Sequence, residues 1–130
     1  MKRAIRIIIP ILLAIAIIAC TAWYLFVYDR GFTRDLLLNT ARRLDRNGNH
    51  TAATWFYNQA YKQADDNDNV AIELAEQYKS DGNFTKAEVT LSNAIKNKGT
   101  VELYAALCKT YVQQDKLLDA VAMLDKITDP

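Results

Sequence analysis

The sequence holds one histidine, two cysteines and four glycines in 130 residues, and each scarcity removes a class of chemistry. There is no glycine-rich phosphate loop, and no paired cysteines or histidines stand at zinc-ligand spacing. His50, the single histidine, has no serine or cysteine spaced to meet it as a nucleophile, so it reads as a packing residue at a turn. Cys20 lies in an apolar run and Cys108 where a small buried residue is wanted; no disulfide is expected, and the redox compartment stays open. Neither sign of charge is in excess, with 16 basic residues facing 15 acidic ones. Setting aside Lys2, Arg3 and Arg6 leaves 13 basic residues against 15 acidic, a net −2 without the basic footprint that a nucleic-acid partner requires. The chain reads as non-enzymatic, with no cofactor and no metal.

What the sequence does have is period. Ala71, Leu74, Ala75 and Tyr78 fall on one helical face, and Ser80-Asp81-Gly82-Asn83 breaks the pattern with turn and cap residues. Phe84, Ala87, Leu91, Ala94 and Ile95 then form a second face, closed by Asn97-Lys98-Gly99, where glycine suits a left-handed C-cap. Sliding this hairpin back 34 residues lands Gly82-Asn83 on Gly48-Asn49, Ala75 on Ala41, Ala87 on Ala53 and Ala94 on Ala60. Sliding it forward 33 residues puts Leu74 on Leu107, Tyr78 on Tyr111, Ala87 on Ala120 and Leu91 on Leu124. Three copies of one supersecondary unit follow, over about 33–66, 67–99 and 100–130, each burying a face it could not bury alone.

A helical hairpin of this period with small residues at its crossings resembles the tetratricopeptide repeat. The middle copy matches best, through Leu74, Ala75, Tyr78, Gly82, Phe84, Ala87, Leu91 and Ala94. The outer copies depart from the pattern with Thr40, Leu44, His50, Cys108 and Asp115, and the proline that closes family repeats is absent. The expected architecture is all-α: an N-terminal transmembrane helix followed by three hairpins forming an α-solenoid. Helices are expected over about 33–46, to about 65 after the turn at Asn47-Gly48-Asn49, then over 69–80, 84–96, 100–114 and 117–128.

Ahead of the repeats, a basic tail at 1–6 precedes 22 uncharged residues from Ile7 to Tyr28. As a helix that run is about 33 Å long, enough for a hydrocarbon core of ~30 Å. Trp23, Tyr24 and Tyr28 gather at its distal end, where amphipathic rings prefer the headgroup layer. A cleaved signal peptide is a competing reading, disfavoured by the length of the run and its aromatic end. A lipobox is another, with Ile17-Ile18-Ala19 before an acylated Cys20, disfavoured by the apolar residues that follow. The reading taken is an uncleaved anchor, then a linker at 29–32 with Thr33 as the next N-cap. Lys2, Arg3 and Arg6 argue for a cytoplasmic N-terminus, although Arg30, Arg34, Arg42, Arg43 and Arg46 on the far side count the other way. Because a folded domain translocates with less regard to charge than a short tail, the repeats are placed outside the cytoplasm.

Three further patterns have plainer explanations. Asp65, Asn67, Asn69 and Glu76 sit at calcium-loop spacing, but Val70 replaces the turn glycine and helical register already claims the segment; the reading taken is an inter-repeat loop capped by Asp68 or Asn69. Asn49-His50-Thr51 and Asn83-Phe84-Thr85 match a glycosylation acceptor, yet each asparagine stands where a helix wants a cap. Arg30, Arg34, Arg42 and Arg46, spaced in multiples of four, form a stripe that beside a membrane would meet anionic headgroups; with Asp35 and Asp45 interleaved, the reading taken is a solvated face.

The resemblance implies that the first helices of the hairpins line a concave surface that binds a protein or peptide. Its usual groove positions carry over to Asp35, Leu38, Arg42 and Asp45, then Asn69, Ile72, Glu76 and Lys79, then Glu102, Ala105, Lys109 and Val112. Chaperone-binding members clamp a terminal carboxylate with lysine, asparagine and arginine; Leu38, Arg42 and Glu73 do not reproduce that clamp. The expected role is a membrane-tethered interaction scaffold; the alternatives are a structural spacer or N-terminal part of a longer surface protein that displays a further domain, and a cytoplasm-facing assembly accessory. Leu117, Leu118, Val121, Met123, Leu124 and Ile127 give the last helix more apolar surface than one neighbour covers. That end is expected to be covered by self-association or by residues of a longer chain.

Overall fold

The computed structural model describes residues 2–64 and 68–128, with side chains from residue 7 onward. Among the described residues all regular structure is helical. The first helix, α1, runs unbroken from Lys2 to Tyr28 through Pro10, and from Ile7 to Tyr28 it is long and apolar enough to cross a membrane. Three antiparallel pairs follow: α2 (Arg30–Arg46) with α3 (His50–Gln63), α4 (Asp68–Ser80) with α5 (Phe84–Asn97), and α6 (Val101–Gln113) with α7 (Leu117–Thr128).

A linker over 29–32 does not form. Asp29 alone separates α1 from α2: its N–H donates to Leu25 O at 3.0 Å, and its Oδ1 accepts from Phe32 N at 2.9 Å. The N-cap is therefore Asp29 rather than Thr33, which is buried in the first turn with its hydroxyl donating to Asp29 O at 3.3 Å. A carboxylate at a helix start satisfies a free N–H and complements the helix dipole, two advantages over a buried threonine.

The three hairpin turns share one hydrogen-bond pattern. Asn49, Asn83 and Lys116 donate to Leu44 O, Tyr78 O and Tyr111 O at 3.0, 2.7 and 2.9 Å. The residue before each donor is left-handed: Gly48 at φ +78°, Gly82 at +74° and Asp115 at +61°. Asn49 and Asn83 cap the helices that follow, accepting from Ala52 N at 3.4 Å and Lys86 N at 3.1 Å, which explains both apparent glycosylation matches. An L-residue in the left-handed region costs roughly 1–2 kcal/mol, with aspartate among those excused in part. Asp115→Gly should therefore raise stability by up to about 1 kcal/mol in chemical denaturation, whereas a loss would show that the aspartate side chain holds the turn.

Gly99 departs from expectation, because its φ is not left-handed and Lys98 ends α5 in extended geometry. Glycine leaves room there for the Tyr104 side chain: a Cβ would stand 2.7 Å from its hydroxyl, so a larger residue requires that side chain to shift.

The core lies between hairpins as much as within them. Leu38, Tyr57, Val70 and Leu74 close over Ala41, Ala53 and Ala60, joining the first hairpin to the second. Leu91, Leu103 and Leu107 close over Ala71, Ala75 and Ala87, joining the second to the third. Ala53, Ala87 and Ala120 are all buried, as small residues at helix crossings must be. Cys108, expected in the core, is only half-buried: Ala41 and Ala75 are covered by the hairpin that follows each, and among the described residues no hairpin packs on Cys108 in that way. His50 is also not a packing residue: it is exposed, with Nδ1 2.8 Å from Asp45 Oδ1.

Candidate functional site

Helices α2, α4 and α6 lie side by side, bridged by ion pairs one repeat apart. Arg42 of α2 meets Glu73 of α4 through two guanidinium nitrogens, Nε donating to Oε2 at 3.0 Å and Nη2 to Oε1. Glu76 of α4 accepts from Lys79 Nζ at 2.6 Å and lies 3.8 Å from Lys109 Nζ of α6. Bidentate geometry makes the first pair the most directional of these links. Donating to the Glu73 carboxylate raises the Arg42 pKa against the opposing effect of burial. Tyr57 is pushed above the usual phenol range, first by burial and then by the Glu73 and Asp45 charges.

Between α2 and α4 this face opens into a cleft of about 360 Å³, lined by Asp35, Leu38, Asn39, Arg42, Asn69, Val70 and Glu73. Its walls are polar and its floor is Leu38 and Val70, both buried. Four sequence-derived groove positions, Asp35, Leu38, Arg42 and Asn69, thus meet in one depression. Asn39 is a lining residue that the sequence mapping did not name, and Glu73 entered it only as a mismatch to the carboxylate clamp. The signals were Asp35, Asn39 and Arg42 at i, i+4 and i+7, and Glu73 one turn after Asn69.

The remaining groove positions are distributed differently. Glu76, Glu102, Ala105, Lys109 and Val112 are exposed, and Ile72 is half-buried. Lys79 is buried, its stem covered and its ammonium held by Glu76, so it presents no free cation to a ligand. Asp45 serves the hairpin end instead, accepting from Gln77 Nε2 at 3.2 Å and contacting His50. Among the described residues no cluster of metal-ligating side chains occurs. Of the calcium-spaced set, Asp65 and Asn67 lie outside the described residues. Asn69 and Glu76 are both within helix α4, about 10 Å apart along its axis, too far to share one ion. Asp68, expected as a cap, is the first residue of α4, and its Oδ2 accepts from Thr100 of the next hairpin at 2.7 Å.

The helical hairpins and their shared turns define a tetratricopeptide-like solenoid preceded by one apolar helix. A solved structure described as the second TPR of Spaghetti (RPAP3) bound to the HSP90 peptide SRMEEVD is similar in fold, with a TM-score of 0.60 at 15% identity over 74% of this chain and 84% of that one. No protein-family model matches the sequence, and no curated protein matches it.

Proposed function

We propose that the protein is a membrane-tethered, non-enzymatic scaffold that binds a protein or peptide on the face formed by α2, α4 and α6. The observation that carries this reading is the polar cleft beside the Arg42–Glu73 pair, whose Asp35, Asn39 and Asn69 offer hydrogen-bonding groups above an apolar floor. The peptide in the similar structure supports the choice of partner class, and Arg42 held by Glu73 argues against a terminal carboxylate as what is recognised. Ile7 to Tyr28 is the anchor, with the N-terminus cytoplasmic and the repeats outside. A membrane-impermeant cross-linker applied to intact cells should capture a partner on the wild-type chain, and Arg42→Glu with Lys109→Glu should remove the adduct at unchanged helicity. An adduct that survives both charge reversals would discard the groove. Capture only after permeabilisation would reverse the orientation and keep the groove.

A second association surface is favoured by α7, where Leu117, Leu118, Val121 and Leu124 are all exposed. Two copies joined there would bury an apolar stripe that no element of this structure covers.

A further inference from the structure

The repeats allow each end of the solenoid to be compared with its own interior, and the comparison singles out the outer face of α2. Leu36 corresponds by repeat spacing to Val70 and Leu103, which are 1% and 0% exposed against the second helix of the preceding hairpin. No hairpin precedes α2, and Leu36 is 57% exposed. Phe32, one turn earlier, is exposed as well. The same stripe continues at i+7 and i+10 from Leu36 with Arg43 and Arg46, both exposed. Interior repeats carry neutral side chains at these positions, Gln77 and Thr110 matching Arg43, and Ser80 and Gln113 matching Arg46. The end face is thus apolar near α1 and basic further out, where the interior counterparts are neutral: Gln77 and Thr110 are buried, and Ser80 and Gln113 are exposed.

Continuity with α1 says what meets this face. Across the one-residue break at Asp29, Ala22, Leu25 and Phe26 of α1 and Phe32, Leu36 and Leu37 of α2 line one apolar recess of about 260 Å³. The α1 side of that recess is the distal end of the apolar run, beside the aromatic rings of Trp23, Tyr24 and Tyr28. If α1 spans, the recess opens into the boundary between acyl chains and headgroups. Amphipathic helices settle at that depth with apolar side chains down and basic ones toward lipid phosphates.

We propose that the outer face of α2 rests on the bilayer, so that anionic lipid takes the place of a preceding hairpin as the cap of the solenoid's first repeat. Phe32 and Leu36 enter the interfacial layer, and Arg43 and Arg46 contact headgroup phosphates. Arg42, on the neighbouring face, stays with Glu73, and the cleft remains open. The inference rests on the anchoring reading, and the test separates the two.

The full chain, with Cys20→Ser and Cys108→Ala, is reconstituted in vesicles of phosphatidylcholine alone or mixed with phosphatidylglycerol. A fluorophore is placed in turn at Leu36→Cys, at Val89→Cys on exposed α5, and at Ile17→Cys within α1, and is read against lipid carrying nitroxide near the headgroup or along the chain. Position 36 should be quenched by the headgroup nitroxide, more in the anionic vesicles, while position 89 should not. An arginine near an anionic surface contributes about a fivefold factor in partition, so Arg43→Glu with Arg46→Glu should lower the docked ratio by roughly tenfold or more. Equal quenching at 36 and 89, with 17 still quenched by chain nitroxide, overturns the proposal and keeps the anchor. Absence of quenching at 17 removes the anchor and the proposal together. Quenching at 36 that ignores both lipid charge and the arginine reversals overturns the lipid-phosphate contact.

Discussion

Leu74→Ala should lower the unfolding free energy by about 2–5 kcal/mol, the range for a leucine deleted from a close-packed core. Leu74 is 1% exposed and belongs to the cluster through which the first two hairpins hold each other. Its neighbours include Ala41, Ala53 and Ala60, whose short side chains cannot swing into the vacated volume, so the cavity persists and the cost falls in the upper part of that range. Stability in such an array is a sum of hairpin terms and nearest-neighbour interface terms, and this substitution strikes an interface. The repeats released from the anchor, starting at Asp29 so as to keep the α2 cap, should melt at least about 10 °C lower and less cooperatively. Val89→Ala, at an exposed site on α5, is the control and should move stability by no more than about 0.5 kcal/mol. A Leu74→Ala loss near that control value would mean that the two hairpins are not coupled through this cluster.

The same soluble piece should associate through α7. Leu124 stands where the interior repeats have Leu91 and Tyr57, yet it is 48% exposed while they are 1% and 5% exposed. The more telling position is Leu118, 88% exposed, whose counterparts Thr51 and Thr85 remain exposed although a hairpin follows each of them. A following hairpin of the same kind would therefore leave Leu118 in water. A larger surface is needed to cover it, and a second α7 packed across a two-fold axis supplies one. Burying a leucine or valine contributes about 1.5–3 kcal/mol. Leu118→Lys with Val121→Glu, present in both copies, should weaken the dimer by roughly a thousandfold or more, returning it to monomer without loss of helicity. Light scattering that finds the unsubstituted piece monomeric at high concentration would show that α7 is covered by something other than its own copy.

The sequence by itself determined the elements of this fold. Hydrophobic spacing and the turn residues placed the six repeat helices to within a few residues, because those features act locally: a glycine or aspartate in the left-handed region ends a helix whatever surrounds it. The uncharged run from Ile7 to Tyr28 likewise needed only counting to mark it as long enough for a bilayer. Where two local signals competed, the sequence chose less well. At the start of α2 Asp29 took the cap from Thr33, and at Gly99 the feature beside the glycine is the side chain of Tyr104, five residues on, rather than a left-handed cap.

The state of each groove side chain was decided only in the tertiary structure. Repeat numbering put Lys79 and Arg42 in the same surface class, yet Lys79 is buried on Glu76 and Arg42 is forked onto Glu73, a residue 31 positions away. Asp45 was drawn to Gln77 and His50 rather than toward the cleft. Exposure of Leu36 and Leu124 beside their buried repeat counterparts could not be read from residue type either, since chemically equivalent leucines occupy both environments. The physical reason is common to all of these. Periodicity fixes which side of a helix a residue is on, whereas burial and ion pairing depend on which neighbouring helix reaches that side and with what charge.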